Sequence, residues 1–394
     1  MTAASFEFAT AGRIMAGAGR AAELPGVLAG LGSRVLVCTG SNPARHAVLL
    51  AGLSAPAAVF TVPGEPTADL ARAGVAAARE HGADMIAAML ANGGNPLDYL
   101  EVTGSGRAIT RPSVPCVAVP TTAGTGAEVT ANAVLAVPER RLKASLRSPL
   151  MIPRVALVDP LLSASCPPPV TAASGLDALT QCLEPFVSVR ATPLTDGLAR
   201  EGLRRAAAGL RTAYADGGDL AARADMATCA LLGGMALANA KLGAVHGLAG
   251  VIGGTADVPH GFACAALLAP VIEANVRALR SGRAGSAGRD RVGRDRAVLD
   301  RAVLDRAGLD RAVLDRYAEA AVLLTGQPGA SAEDGVAWIR QTLDLLAVPG
   351  LAAFGLTAGQ AGDIAAQALT SSSMQGNPVP LSQDELEAIV GRAL

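Results

Sequence analysis

The texture of the chain changes at Leu157-Val158-Asp159-Pro160, and that break limits the fold more than any other feature. Upstream, short apolar β-type runs alternate with helix-type runs, the pattern of a βαβ sheet. Residues 33–39 (SRVLVCT) read as a buried strand ending in Gly40-Ser41-Asn42-Pro43, and residues 57–62 as a second strand. An Ala-rich helix is predicted over 69–81, feeding a strand over 83–89, and residues 114–119 form a third clear β run stopped by Pro120. Downstream, strand signals nearly vanish. Residues 171–184, 192–215, 220–240 and 260–280 carry helical spacing, with Thr192 as N-cap and Pro193 at the first helical position of the second. Ser382-Gln383-Asp384-Glu385 reads as a capping box for a last helix. We therefore expect an α/β domain over 1–160 and an all-α domain over 161–394, a division that suits 394 residues at about 100–200 per domain.

Composition removes several functional classes. Hydrophobic residues are 51% and charged residues 17%, so there is ample apolar surface to bury and disorder is not expected. Aromatics are only 3%, which leaves few stacking platforms for single-stranded nucleic acid. Lys and Arg (33) balance Asp and Glu (34), so no field attracts DNA or an anionic membrane. The first residues lack a basic stretch followed by an apolar one, and no charge-free run reads as a spanning helix, so the expected location is cytoplasmic with neither nucleic acid nor membrane as partner. Six scattered cysteines without CxxC spacing read as buried free thiols.

Residues 289–316 repeat with period five, with Asp-Arg steps at 290/291, 295/296, 300/301, 305/306, 310/311 and 315/316. Five residues rotate the pattern by about 140° per repeat on a helix, so the Val-Leu pairs spiral round it and form no single apolar stripe. A surface insertion is the plainer reading, a partner-binding arm the sharper one.

Two of the four histidines, His246 and His260, lie in one Gly-rich segment, GAVHGLAGVIGGTADVPHG (243–261). A turn at Gly253-Gly254 would let two helix ends present both rings to one point, as a metal pair or as two structural histidines. Upstream, SGLDALTQCLEP (174–185) places Asp177 and Gln181 four apart on one helix face. Asp177 supplies a charge, although an Asp near a helix start is commonly a dipole partner.

Together with PTTAGTGAEVT (120–130) and KASLRSPLMIPRVALVDPLL (143–162), the motifs GLDALTQ (175–181), GAVHGLAG (243–250) and PHG (259–261) make the chain resemble the iron-containing alcohol dehydrogenases, including maleylacetate reductase and glycerol dehydrogenase relatives. The resemblance implies a dehydroquinate-synthase-like fold, a dinucleotide-binding α/β domain followed by an all-helical domain, with a divalent metal, Fe(II) or Zn(II), in the cleft between them. It implies Asp177, His246 and His260 as metal ligands and, through the metal, as the catalytic set. Gln181 stands at the remaining ligand position, where many members carry His, and Gly250 stands where many carry a second histidine for proton relay. A neutral amide is a poorer ligand than imidazole, yet three ligands plus water still make an open site.

The implied reaction is metal-assisted hydride transfer between a nicotinamide, NAD or NADP, and a small alcohol or carbonyl, on a maleylacetate-reductase-like pattern. Thr121, Thr122, Gly124, Thr125 and Gly126 match the loop beside the cofactor, Asn132 and Lys143 positions near the nicotinamide, and Gly40 and Ser41 the strand end near the adenosine ribose. Gly40 offers no carboxylate to repel a 2′-phosphate, so NADP stays open. The family's Gly-Gly-Gly-Ser phosphate turn is missing: the segment MIAAMLANGGNPLDYLE (85–101) fits the family segment downstream of that motif, so the turn reads as truncated near 87–95. Alternatively Gly93-Gly94-Asn95, with Pro96 opening a helix and Asp98 beyond, acts as a substitute. Two functions are compatible with these features: an NAD(P)-linked alcohol dehydrogenase or carbonyl reductase, or a member with impaired cofactor binding that acts as a non-redox metal enzyme or scaffold subunit. The expected partners are the small-molecule substrate and, with its order unspecified, a homo-oligomer.

Overall fold

The computed structural model describes residues 5–81, 87–101, 104–140, 142–282 and 296–394. The first part contains β1 (Arg13–Ala16), α1 (Leu24–Ala29), β2 (Val35–Thr39), α2 (Ala47–Ala51), β3 (Ala57–Thr61), α3 (Ala68–His81), α4 (Ala87–Asn92), α5 (Pro96–Tyr99), β4 (Val117–Ala118), β5 (Asn132–Val137), β6 (Leu142–Arg147) and β7 (Val155–Val158). Parallel strands in the order β1-β7-β4 form one sheet, β2 and β3 a parallel pair, and β5 and β6 an antiparallel hairpin with Asn132 opposite Arg147. β7 is buried along its whole length, as a central parallel strand of four aliphatic residues should be.

Two β expectations need correction. Of the strand read over 83–89, residues 83–86 lie outside the described residues and Ala87 begins helix α4. The sequence AAMLAN carries no β-branched residue and is rich in strong helix formers, so helix wins there. The run over 114–119 shrinks to the two residues of β4. Pro115 and Pro120 bracket it, and neither offers an N–H to a ladder.

The second part is helical: α6 (Pro168–Val187), α7 (Pro193–Ala215), α8 (Leu220–Ala240), α9 (Ala244–Thr255), α10 (His260–Arg280), α11 (Arg296–Thr325), α12 (Ala332–Leu345), α13 (Ala361–Ala368) and α14 (Gln383–Ala393). Local chemistry sets the starts. Thr192 and Thr195 cap α7 reciprocally with Pro193 at its first position, Asp219 accepts from the Ala222 N–H at α8, and Ser382 with Glu385 closes a capping box on α14. α6 lies at the centre, packed by α7, α8 and α10, and is buried on every face from Leu176 to Val187. α8 and α10 are long and apolar enough to cross a bilayer, but most of each apolar stretch is buried inside the protein. The two parts are pinned at Asn239 of α8, which exchanges hydrogen bonds with the Ala9 backbone, and within the first part the Asp159 carboxylate accepts from the backbone of Gly19 and Ala21.

Of the pentad repeat, residues 296–316 belong to α11 and 289–295 lie outside the described residues. The rotating pattern has the expected consequence at Leu309, which is 67% exposed. The last pentad behaves differently: Val313 and Leu314 pack against the core, and Arg316 grips Asp196 with two bonds of 2.6 and 2.7 Å while donating to the Phe186 carbonyl. Beyond it Tyr317, Ala320, Ala321 and Leu324 are buried at i, i+3, i+4, i+7, a proper helical stripe. Deleting residues 291–310, four whole pentads that rejoin Asp290 to Arg311 in register, is therefore expected to move the melting midpoint little. Arg316→Ala should cost about 2 kcal/mol, less than the 3–5 of a fully buried pair because Arg316 is partly exposed. Thermal unfolding of the two variants checks the contrast, and a large loss from the deletion alone would show that the spiral pentads pack.

Candidate metal centre and nucleotide loops

A helix buried on all faces should carry no polar side chain without a partner. Besides Thr180, which bonds back to the Leu176 carbonyl, the core of α6 carries Asp177, Gln181 and Glu184, spaced i, i+4, i+7 along one face. Asp177 is mid-helix, so the dipole reading near a helix start does not apply. Gln181 Nε2 donates to Asp177 Oδ2 at 2.8 Å, and Gln181 Oε1 is buried with no hydrogen-bond partner.

Both histidines reach this face, by a route unlike the expected one. Gly253 and Gly254 are not a turn but the last part of α9, and the chain reverses at residues 256–259. His246 thus sits in the first turn of α9 and His260 opens α10. Gly261 lets α10 start against α6, since a Cβ there would collide with the Ala173 carbonyl oxygen. His246 Nε2 is 3.2 Å from Asp177 Oδ1, and His260 Nε2 is 3.9 Å from the same oxygen. The two rings are 5.4 Å apart. Gly250, one turn beyond His246, faces open space where a Cβ would be.

Glu184, not singled out in the sequence, orders the centre. Its Oε2 lies 2.6 Å from His246 Nδ1, and its Oε1 accepts from the Val245 N–H at 2.7 Å, meeting one of the unpaired donors at the start of α9. A carboxylate on Nδ1 fixes the ring and directs Nε2 at Asp177. The readable signal is the third polar residue on the α6 face. Cys264 is free and buried, as the scattered cysteine spacing suggests, whereas Cys38 is exposed. The Cys264 Sγ is 3.6 Å from His260 Nε2, and Asp177, His246, His260 and Cys264 each bring one donor atom within 4.8 Å of the others.

Charge is concentrated here. Burial works against ionising Asp177, but the hydrogen bond and charge of His246, with His260 and Gln181, outweigh it and hold the carboxyl below its usual range. Burial also opposes a charge on His246, yet Cys264, Asp177 and Glu184 raise it well above an ordinary histidine. Cys264 beside it is the main reason that His260 is pushed up to about 9. The Asp177 shift favours its anion and the two histidine shifts favour positive charge beside it.

The donor set fits a divalent ion. Ligand atoms held at about 2.0–2.3 Å by one tetrahedral ion sit roughly 3.3–3.8 Å from one another, close to the 3.2 and 3.9 Å from Asp177 Oδ1 to His246 Nε2 and His260 Nε2. Asp177 and His246 are buried while the His260 side chain is 36% exposed, so the centre opens to solvent on one side.

The nucleotide-type positions are spread over several loops. Gly40 and Ser41 are exposed at the end of β2, and Thr122 and Thr125 are exposed in the 120–126 loop, while Thr121 is half-buried. Gly124 and Gly126 have a packing reason beyond any ribose: a Cβ would meet Ser174 at 2.9 Å and Ala230 O at 2.5 Å, and Gly126 has φ 58°. Asn132 opens β5 with its Oδ1 buried and unpartnered, and Lys143 on β6 pairs with Glu65 and lies against Gly253 of α9. Gly93 and Gly94 form a left-handed turn, with Asn95 capping the single-turn α5 and Pro96 at its first position. The Gly94 side of the turn is covered by the protein itself, while Gly93 faces open space. Arg107 Nη1 occupies the space where a Gly94 Cβ would sit, with its guanidinium over the Tyr99 ring, and the Tyr99 hydroxyl donates to the Gly93 carbonyl at 2.8 Å.

Both parts of the chain match known families. Residues 171–394 match the family described as "Fe-containing alcohol dehydrogenase family, C-terminal", and residues 11–160 that described as "Iron-containing alcohol dehydrogenase". Alcohol dehydrogenase 4 of Saccharomyces cerevisiae is 42% identical over 195 residues, 50% of each chain, and 1,3-propanediol dehydrogenase of Citrobacter freundii 46% identical over 168 residues, 43% of each. The chain thus spans about half the length of the curated relatives it matches. Among solved structures, an alcohol dehydrogenase from Oenococcus oeni superposes with a TM-score of 0.84 at 26% identity, over 99% of this chain and 100% of that one. The architecture is the dehydroquinate-synthase-like one, an α/β part followed by an all-helical part, and the chain belongs to the iron-containing alcohol dehydrogenase family.

Proposed function

We propose that the protein is a metal-dependent alcohol dehydrogenase or carbonyl reductase that moves a hydride between NAD(P) and a small alcohol or carbonyl. The observation that carries this reading is the convergence of Asp177 Oδ1, His246 Nε2 and His260 Nε2 from three helices onto one solvent-open point. Bound there, a divalent ion supplies Lewis acidity toward a substrate oxygen. Glu184 holds His246 in one orientation, Gln181 steadies the Asp177 carboxylate, and the partly exposed His260 borders the approach. The named relatives act on alcohols and a propanediol, which supports a short alcohol or diol; a maleylacetate-type substrate is the narrower alternative.

Arg107 lies over the Gly94 side of the turn and the helix after it is a single turn, which favours the second reading, a metal-binding member without efficient redox turnover. Turnover of 1,3-propanediol followed by nicotinamide absorbance, with NAD and NADP each at millimolar concentration, tests the first. We expect slow turnover that a chelator abolishes and added Zn(II) or Fe(II) restores. Absence of turnover in metal-loaded protein with these cofactors and a panel of short alcohols and aldehydes would leave the second.

A further inference from the structure

We infer that Cys264 is a metal ligand, giving this centre one oxygen, two nitrogens and one sulfur donor, and that it takes a borderline-soft ion of the Zn(II) or Co(II) type. The inference rests on the reading of Asp177, His246 and His260 as ligands and extends it. Cys264 lies one turn after His260 on α10, so the two side chains share a helix face, and its sulfur is 3.6 Å from His260 Nε2. A tetrahedral ion would separate a nitrogen and a sulfur ligand by about the same distance. The other buried thiols have ordinary structural settings. Cys182 and Cys229 face each other at 3.8 Å, and Cys166 donates to the Thr121 carbonyl. Among the described residues Cys264 alone places its sulfur inside an Asp-His cluster.

Gln181 supplies the complementary observation. Its amide nitrogen is committed to Asp177 Oδ2, and its carbonyl oxygen, though buried and unpartnered, is neutral. A thiolate is the stronger donor and selects softer ions, whereas oxygen-only sets suit Mg(II) or Mn(II). On binding, the Cys264 S–H bond breaks, its proton passes to solvent, and a sulfur–ion bond forms; no electron changes hands.

The test is titration of metal-free full-length protein with Co(II), followed by absorption. Wild type should bind one ion per chain with a near-ultraviolet sulfur-to-cobalt charge-transfer band. Cys38→Ser should keep the band, which excludes the exposed thiol. Cys264→Ala should lose it and bind Co(II) at least about tenfold more weakly, with the metal-free melting midpoint near that of wild type. If that variant does not fold, cobalt X-ray absorption of wild type reads sulfur in the coordination shell directly. One bound cobalt without a sulfur signature, or a band that survives Cys264→Ala, overturns the role of Cys264 while leaving the three-residue site. No cobalt binding at all overturns the underlying site.

Discussion

His246→Ala is expected to lose nearly all of its bound metal, with affinity falling by at least roughly a hundredfold. Partners that merely orient a ligand are worth about ten- to a hundredfold each, and removing a ligand with its orienting pair exceeds that. His246 is the hinge of the arrangement: Nδ1 meets Glu184 and Nε2 meets Asp177, both carboxylates buried. The variant also takes one partner from each of two buried acids, which keep Gln181 and the Val245 N–H, so some loss of stability accompanies the loss of metal. Metal analysis of the purified proteins, paired with melting curves of their metal-free forms, separates the two effects. Glu184→Gln keeps the shape and lowers affinity by about tenfold if Glu184 acts by orienting the ring. Equal metal content in wild type and His246→Ala would remove His246 from the site.

Nucleotide binding should be weaker by at least a hundredfold than at a complete glycine-rich phosphate turn. Such a turn gives pyrophosphate several backbone hydrogen bonds and the field of a helix start, and each bond to a charged group is worth about 1.5–3 kcal/mol. Losing two exceeds a hundredfold at about 1.4 kcal/mol per tenfold. In this chain α5 is a single turn, Arg107 covers Gly94 before it, and the Tyr99 hydroxyl takes up the Gly93 carbonyl. Titration of metal-loaded protein with NADH and NADPH, by calorimetry or fluorescence, measures the deficit. Inserting a Gly-Gly-Gly-Ser turn and its helix between Ala87 and Ala88 should recover much of it. Low-micromolar binding by the unaltered protein would show that Arg107 yields and that the Gly93–Gly94 turn is a working substitute.

Much of the helical part was legible because its signals are local. Thr192-Pro193 and the Ser382 to Glu385 box act within one turn of backbone, so α7 and α14 begin where those residues stand. The small strands were harder. Ala-rich segments satisfy β and α spacing alike, and whether residues 87–89 extend or coil depends on neighbours outside the segment. The Gly253–Gly254 error has the same origin. Glycine is tolerated in a buried helix when packing compensates its backbone entropy, as it does for α9 with β6 and α10 on either side.

By itself the sequence determined which chemical groups were present and how some were phased: Asp177 and Gln181 on one face, the two histidines in one glycine-rich stretch, the pentad that cannot form a stripe. Those features arise from helix periodicity and composition, which are properties of the chain alone. The tertiary structure decided which atoms meet. Glu184 became an orienting carboxylate because the start of α9 lies across α6, and Cys264 joined the cluster because α10 begins at His260 and returns its next turn to the same point. It also laid an arginine thirteen residues further along the chain over Gly94. Contacts between separate elements depend on crossing geometry and on the volume of every intervening side chain, quantities that no periodicity within a single element contains.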